Sequence, residues 1–179
     1  MIELDGDSLR IPTTDDLPAI LRLRDITRRE LFEIPSSAAE LAGFLEALAK
    51  KTWSLPMLCC HLGLPSGLCL MNLGQLKNLN ANLVALFEEP ATAQRLLALY
   101  VRQAFWAFPL HRLYAQLPIS VESHPHIDLL LRTGFKDEGV LVGHIEVADS
   151  QPLDAVVLGI LRDEFDEWCA NNEPRLSLA

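Results

Sequence analysis

The chain has 179 residues, half of them hydrophobic, and carries 15 Lys and Arg against 24 Asp and Glu for a formal net charge of −9. That length suits one domain over residues 1–179, with enough apolar material for a well-buried core. The acidic balance excludes a general nucleic-acid surface and favours a basic partner, an amine or a basic peptide.

In chain order, Ser8–Pro12 reads as a short strand, and Thr13-Thr14-Asp15-Asp16 is a helix-start signal with Pro18 in the first turn. Leu17, Ile20, Leu21 and Leu23 then begin an amphipathic helix expected to run to about Phe32. Ser36-Ser37 with Glu40 resembles a capping box. It opens a second helix through Leu41, Phe44, Leu45 and Leu48, expected to end near Trp53. Two apolar runs, Leu55–Leu62 and Leu68–Leu76, flank Gly63-Leu64-Pro65-Ser66-Gly67 and predict a hairpin. A third strand is expected over Asn82–Phe87.

Ala91–Phe108 gives the strongest helical signal, with Leu97, Tyr100, Val101, Ala104, Phe105 and Phe108 at spacings of three and four. Leu113, Ala115 and Leu117 alternate as a strand entered by His111-Arg112. An apolar helical turn around Ile127–Arg132 follows, stopped by Gly134, whose lack of a side chain suits the left-handed residue that closes a helix. Strands over Val140–Val147 and Ala155–Leu161 and a turn or two of helix over Arg162–Trp168 complete the order β-α-α-β-β-β-α-β-α-β-β.

The stretch from Leu110 to Gly139, a strand opening His111-Arg112, a helix ending Gly134-Phe135 and then Asp137-Glu138-Gly139, resembles the C-terminal half of the GCN5-related N-acetyltransferase (GNAT) superfamily. It is most similar to the branch that acetylates protein N-termini and ribosomal proteins. The resemblance implies a mixed α+β fold, with a central twisted, mostly antiparallel sheet of about six to seven strands and helices on both faces. It also implies transfer of an acetyl or other acyl group from acetyl-CoA or another acyl-CoA to an amine.

The family's pyrophosphate loop, Arg/Gln-Gly-x-Gly-x-Gly/Ala, falls on Glu88-Glu89-Pro90-Ala91-Thr92-Ala93, and only the last position keeps an allowed residue. Ala91, Thr92 and Ala93 still offer backbone amides at a helix start, where phosphates bind, and Thr92 adds a hydroxyl. Two carboxylates there oppose an anion. The family's basic carboxylate before this loop falls at Asn82 or one residue to either side, with no Asp or Glu between Lys77 and Phe87; an amide orients water but takes no proton. Its leaving-group tyrosine falls at Leu130, and its cofactor-binding asparagine at Ser123, which keeps one hydroxyl donor. His126 stands where a serine is common. With His124 it forms the only titratable pair near the expected site, and it is the candidate acid or base.

Four cysteines, Cys59, Cys60, Cys69 and Cys169, form no Cys-x-x-Cys pair and read as buried free thiols, with no metal site implied. The longest apolar stretches fall short of the roughly 18 residues that span a bilayer, and no secretory signal is visible, so a cytoplasmic protein off the membrane is expected. Apolar residues in Leu68–Leu73, taken as an exposed edge, hint at a homodimer. Two readings stay open: an active N-acyltransferase, or a GNAT-fold protein that has lost catalysis and works as a binding, regulatory or dimerising module.

Overall fold

A computed structural model describes residues 2–26, 34–51, 54–75, 79–120, 123–145 and 151–176. The elements are β1 (Ile2–Leu4), β2 (Asp7–Arg10), α1 (Leu17–Ile26), α2 (Ala38–Ala49), β3 (Met57–His61), β4 (Leu64–Gln75), β5 (Asn80–Phe87), α3 (Gln94–Ala107), β6 (Arg112–Pro118), α4 (His124–Arg132), β7 (Lys136–Ile145), β8 (Leu153–Leu161) and α5 (Arg162–Asn172). They form one eight-stranded sheet in the order β1-β2-β3-β4-β5-β6-β8-β7. Every neighbouring pair is antiparallel except β5 with β6.

The strand count exceeds the expected six to seven. The short N-terminal hairpin partner β1, only three residues long, carries too little pattern to be read. Other boundaries move for local reasons. The β3–β4 turn is two residues, not five, because Leu62 and Gly63 both take positive φ, the backbone of a tight primed hairpin. Pro65 therefore sits inside β4, beside a bulge at Cys59/Cys60. The expected ends of the first two helices, Phe32 and Trp53, lie outside the described residues.

Alternation along the central strands divides the interior in two. Leu58, Leu68, Leu70 and Leu86 pack with Ile20 and Leu23 of α1 and Leu41, Leu45 and Leu48 of α2. On the opposite face Cys69, Met71, Leu83, Ala85, Leu113 and Ala115 pack with α3, α4 and α5. β4 is thus an interior strand, and Leu68 through Met71 are buried. The edge argument for a homodimer is corrected, because β4 has β3 on one side and β5 on the other.

Two local devices hold the termini of this frame. Asp16 accepts two bonds of 2.6 Å from the Arg10 guanidinium and caps the chain through the Thr13 N–H and hydroxyl. The Arg10 charge holds its carboxyl down at about 2, against the pull of burial. A carboxylate depressed in the fold stabilises above its ordinary pKa near 3.8, and the contribution is lost as pH falls toward 2. At roughly 1.4 kcal/mol for each pH unit the loss is about 2 kcal/mol. Asp16→Asn is expected to remove most of that acid dependence in denaturation curves taken between pH 5 and 2.5; an unchanged acid limb would refute the assignment.

The second device is the end of α4. Gly134 has φ +92, its N–H bonds to the Leu131 carbonyl at 3.1 Å, and the Phe135 N–H bonds to the Leu130 carbonyl at 3.1 Å. This is the closure that the Gly134-Phe135 pair predicts. The Trp168 indole packs directly on Gly134 and donates to the Arg132 carbonyl at 3.0 Å.

Candidate active site

β5 and β6 are hydrogen-bonded partners only at Asn80↔Arg112, Ala81↔Leu113 and Asn82↔Tyr114. Beyond that point β5 continues to Phe87 and β6 to Pro118 without pairing each other. The sheet is therefore split into a V, and the inner edge of β5 over Leu83–Phe87 has no strand beside it. An unpaired edge inside a protein is an unfinished hydrogen-bonding surface.

α4 fills the floor of the V. Leu83, Ala85, Ala115, Gln116, Leu117, His126, Leu129 and Leu130 enclose a cavity of about 10 Å³, the room of a single water. His126 is only 5% exposed and accepts the Phe87 N–H on Nε2 at 3.3 Å, so its proton belongs on Nδ1, which is buried without a partner. Burial lowers its pKa, and the Phe87 bond opposes the shift. The described side chains that line the cavity with it carry no charge, and burial favours the neutral ring. A histidine depressed in the fold stabilises above its ordinary value near 6.5 and loses that contribution as pH falls. His126→Gln is accordingly expected to flatten stability between pH 6.5 and 5; a persistent decline there would place its origin elsewhere.

At the mouth of the V, the segment before α3 is tied to itself. The Thr92 N–H and hydroxyl both donate to the Glu89 carbonyl, at 3.1 and 3.2 Å, and the Ala93 N–H donates to the Pro90 carbonyl at 3.3 Å. Ala93 is buried, whereas Ala91 and Thr92 are exposed. The first-turn N–H groups of Gln94 and Arg95 remain the intrinsic orphans of a helix start. Glu88 is drawn aside by Arg22 at 2.9 Å. Arg132, from the end of α4, reaches over and donates to the Pro90 and Ala91 carbonyls, each at 3.1 Å. It places a guanidinium beside a loop whose own charged side chains, Glu88 and Glu89, are both acidic.

Ser123 is fully buried, and its hydroxyl is 2.9 Å from that of Ser120. Its carbonyl accepts the His126 and Ile127 N–H groups, each at 3.0 Å. The hydroxyl expected as a donor to the cofactor thus faces Ser120, and the Ser123 carbonyl closes the start of α4. Asn82 lies at the apex of the V, on the α1/α2 face, while His126 stands on the α3/α4 face. The two expected catalytic residues are thus on opposite sides of the sheet. Sequence reasoning missed Arg132, whose place at a helix end concealed its reach. It also missed Asn80 and Ser54, which extend the polar end of the α1/α2 face around Asn82 and Asn72.

The Arg112 guanidinium pairs with Glu138 through two contacts and lies 5.0 Å over the Tyr114 ring. His61 bonds Asp7 at 2.7 Å. Trp106 is 73% exposed. All four cysteines are free and buried. Among the described residues no helix is long and apolar enough to cross a membrane.

No protein-family model matches the chain, and no curated protein matches it. Solved structures do. A Mycobacterium smegmatis RimJ in complex with CoA-disulfide superposes with a TM-score of 0.76 at 19% identity, covering 92% of this chain and 88% of that one. A chimera of the spermidine N-acetyltransferase SpeG from Vibrio cholerae and hSSAT gives 0.74 at 18% identity, over 90% and 98%. The ribosomal L7/L12 α-N-protein acetyltransferase RimL gives 0.71 at 14%, over 88% and 91%. With the split β5–β6 pair and the eight-stranded order, these likenesses show that the chain has the GNAT fold.

Proposed function

We propose that the chain is an N-acyltransferase that moves an acyl group from acyl-CoA to an amine. The observation that carries this reading is the unpaired edge of β5, which runs from the apex at Asn82 to the first turn of α3. An amide-bearing arm laid along Leu83–Phe87 would complete that edge as an added strand does. The amides of Gln94 and Arg95 and the Arg132 guanidinium would meet phosphates at its far end. The acyl-CoA supplies an activated carbon: the new carbon–nitrogen bond forms as the carbon–sulfur bond breaks, with one amine proton lost to solvent and one taken up by the sulfur. The donor set fits the arm, on one condition. His126 holds the Phe87 N–H and closes the gap, so the ring must leave that bond for the edge to be used.

Titration calorimetry with acetyl-CoA and with free coenzyme A tests the reading. Weak binding is expected for the wild type and about tenfold tighter binding for His126→Ala. That gain corresponds to about 1.4 kcal/mol, the scale of one buried hydrogen bond. No heat from either protein at millimolar ligand would favour the second reading, a GNAT-fold binding or regulatory module. The closed 10 Å³ cavity and the self-bonded loop before α3 speak for that second reading.

A further inference from the structure

The bond between the Phe87 N–H and His126 is made to one protonation state of the ring. The N–H points at Nε2 over 3.3 Å, so Nε2 offers a lone pair and carries no proton. A ring protonated on both nitrogens has no lone pair to offer. Its Nε2–H would face the Phe87 N–H, donor against donor. Protonation therefore turns this attraction into a repulsion.

The surroundings act in the same direction. Leu83 and Ala85 of β5, Ala115, Gln116 and Leu117 of β6, and Leu129 and Leu130 of α4 line the cavity with the ring. The space beside it is about 10 Å³, the room of one water and too little to solvate a cation. His126 is also the third residue of α4, where the positive end of the helix dipole opposes a further positive charge.

The charged groups on the elements around the ring face solvent or are engaged elsewhere. Glu88 and Glu89, which follow Phe87, are exposed, and Glu88 pairs with Arg22. His124 and Asp128 on α4 are exposed. On α3, Arg95 is held by Asp5 and Asp7, and Arg102 lies by Cys169 of α5. On β6, Arg112 pairs with Glu138; on β8, Asp154 accepts the Gly143 N–H. Glu122 lies outside the described residues.

We propose that protonation of His126 opens the cleft, so that acyl-CoA binding is coupled to the uptake of a proton. The coupling rests on the acyl-CoA reading and regulates that same site: the neutral ring holds the Phe87 N–H, and the imidazolium releases it. The sign follows from linkage. Burial lowers the pKa of the ring in its closed place, whereas a ring freed to solvent titrates near 6.5. The freed ring binds a proton more readily, so falling pH raises its share. A ligand that needs the freed ring binds more tightly as pH falls. Between pH 7.5 and 5.5 the ceiling on that gain is about tenfold.

Dephospho-coenzyme A is the probe, because it lacks the phosphomonoester that itself titrates near pH 6. Calorimetry on the wild type is expected to show severalfold tighter binding at pH 5.5 than at pH 7.5. At pH 6.5 the heat should vary with the ionisation enthalpy of the buffer, which reports proton uptake. His126→Gln offers Phe87 an amide oxygen that does not titrate, and its affinity should be flat over the interval. His124→Gln should keep the wild-type slope. Without ligand, the Phe87 amide signal in nitrogen-15 spectra should move with the imidazole titration of His126. A flat wild-type affinity, or a slope that survives His126→Gln, would overturn the coupling and leave acyl-CoA binding standing. A Phe87 signal indifferent to that titration would overturn the release step itself. Binding by neither the wild type nor His126→Ala at any pH would overturn the acyl-CoA reading and the coupling with it.

Discussion

Truncating Phe165 to alanine is expected to lower the unfolding free energy by about 3–5 kcal/mol, the usual cost of deleting a fully buried aromatic. Phe165 is wholly buried. Its ring centroid lies 5.8 Å from that of Phe105 on α3 and 6.0 Å from that of Trp168, its neighbour one turn on. It is the joint between the last helix and the helix that begins at the candidate site. Arg162 reinforces the joint by donating to the carbonyls of Phe105, Phe108 and Leu110 and lying over the Phe105 ring. Urea denaturation should show the midpoint falling with an unchanged slope; a loss under 1 kcal/mol would mean that the cavity collapses and α5 is not held by this ring.

Gly67→Ala is expected to cost about 3 kcal/mol, the upper part of the range for overpacking. Gly67 stands opposite Phe87 in the β4–β5 ladder. A methyl group there would press on the Phe87 ring and come within 2.8 Å of the Leu86 carbonyl oxygen. The ring could rotate aside; the carbonyl, part of the ladder, cannot. Because the Phe87 N–H is the group that His126 accepts, the same methyl should disturb the closed cleft as well as stability. Denaturation curves together with the imidazole signal of His126 would show both effects. Full stability with an unmoved imidazole would mean that the strand tolerates the methyl and the packing argument fails.

The parts of this molecule that were legible in the sequence are those where one residue has one physical job. Gly134 followed by Phe135 implied a left-handed helix closure, and the backbone bonds are those of that closure. The periodicity of α3 grouped Leu97, Tyr100, Val101, Ala104, Phe105 and Phe108; the first five are buried, and Phe108, one residue past the helix end, is half-buried. The likeness in the Leu110–Gly139 stretch implied a GNAT fold, and the solved neighbours share it. What was not legible depends on chain segments distant in sequence. The N–H groups of Thr92 and Ala93 could be counted as phosphate donors from their place before a helix, but not their use by Glu89 and Pro90 carbonyls within the same loop. His126 could be flagged as titratable, yet its contact with Phe87 spans 39 positions. The polar side chains of Ser54, Asn72, Asn80 and Asn82 become a group only when β4, β5 and the segment before β3 lie side by side.

The closure at Gly134 has a mechanical consequence. α4 is gripped at its C-terminal end, where Trp168 packs on Gly134 and bonds the Arg132 carbonyl, while His126 is the third residue of the helix. With that end held, the 3.3 Å bond from the Phe87 N–H to His126 is the contact that ties the first turn of α4 to the β5 edge. One end of α4 thus answers to α5, and the other carries the ring that bonds the open edge of β5.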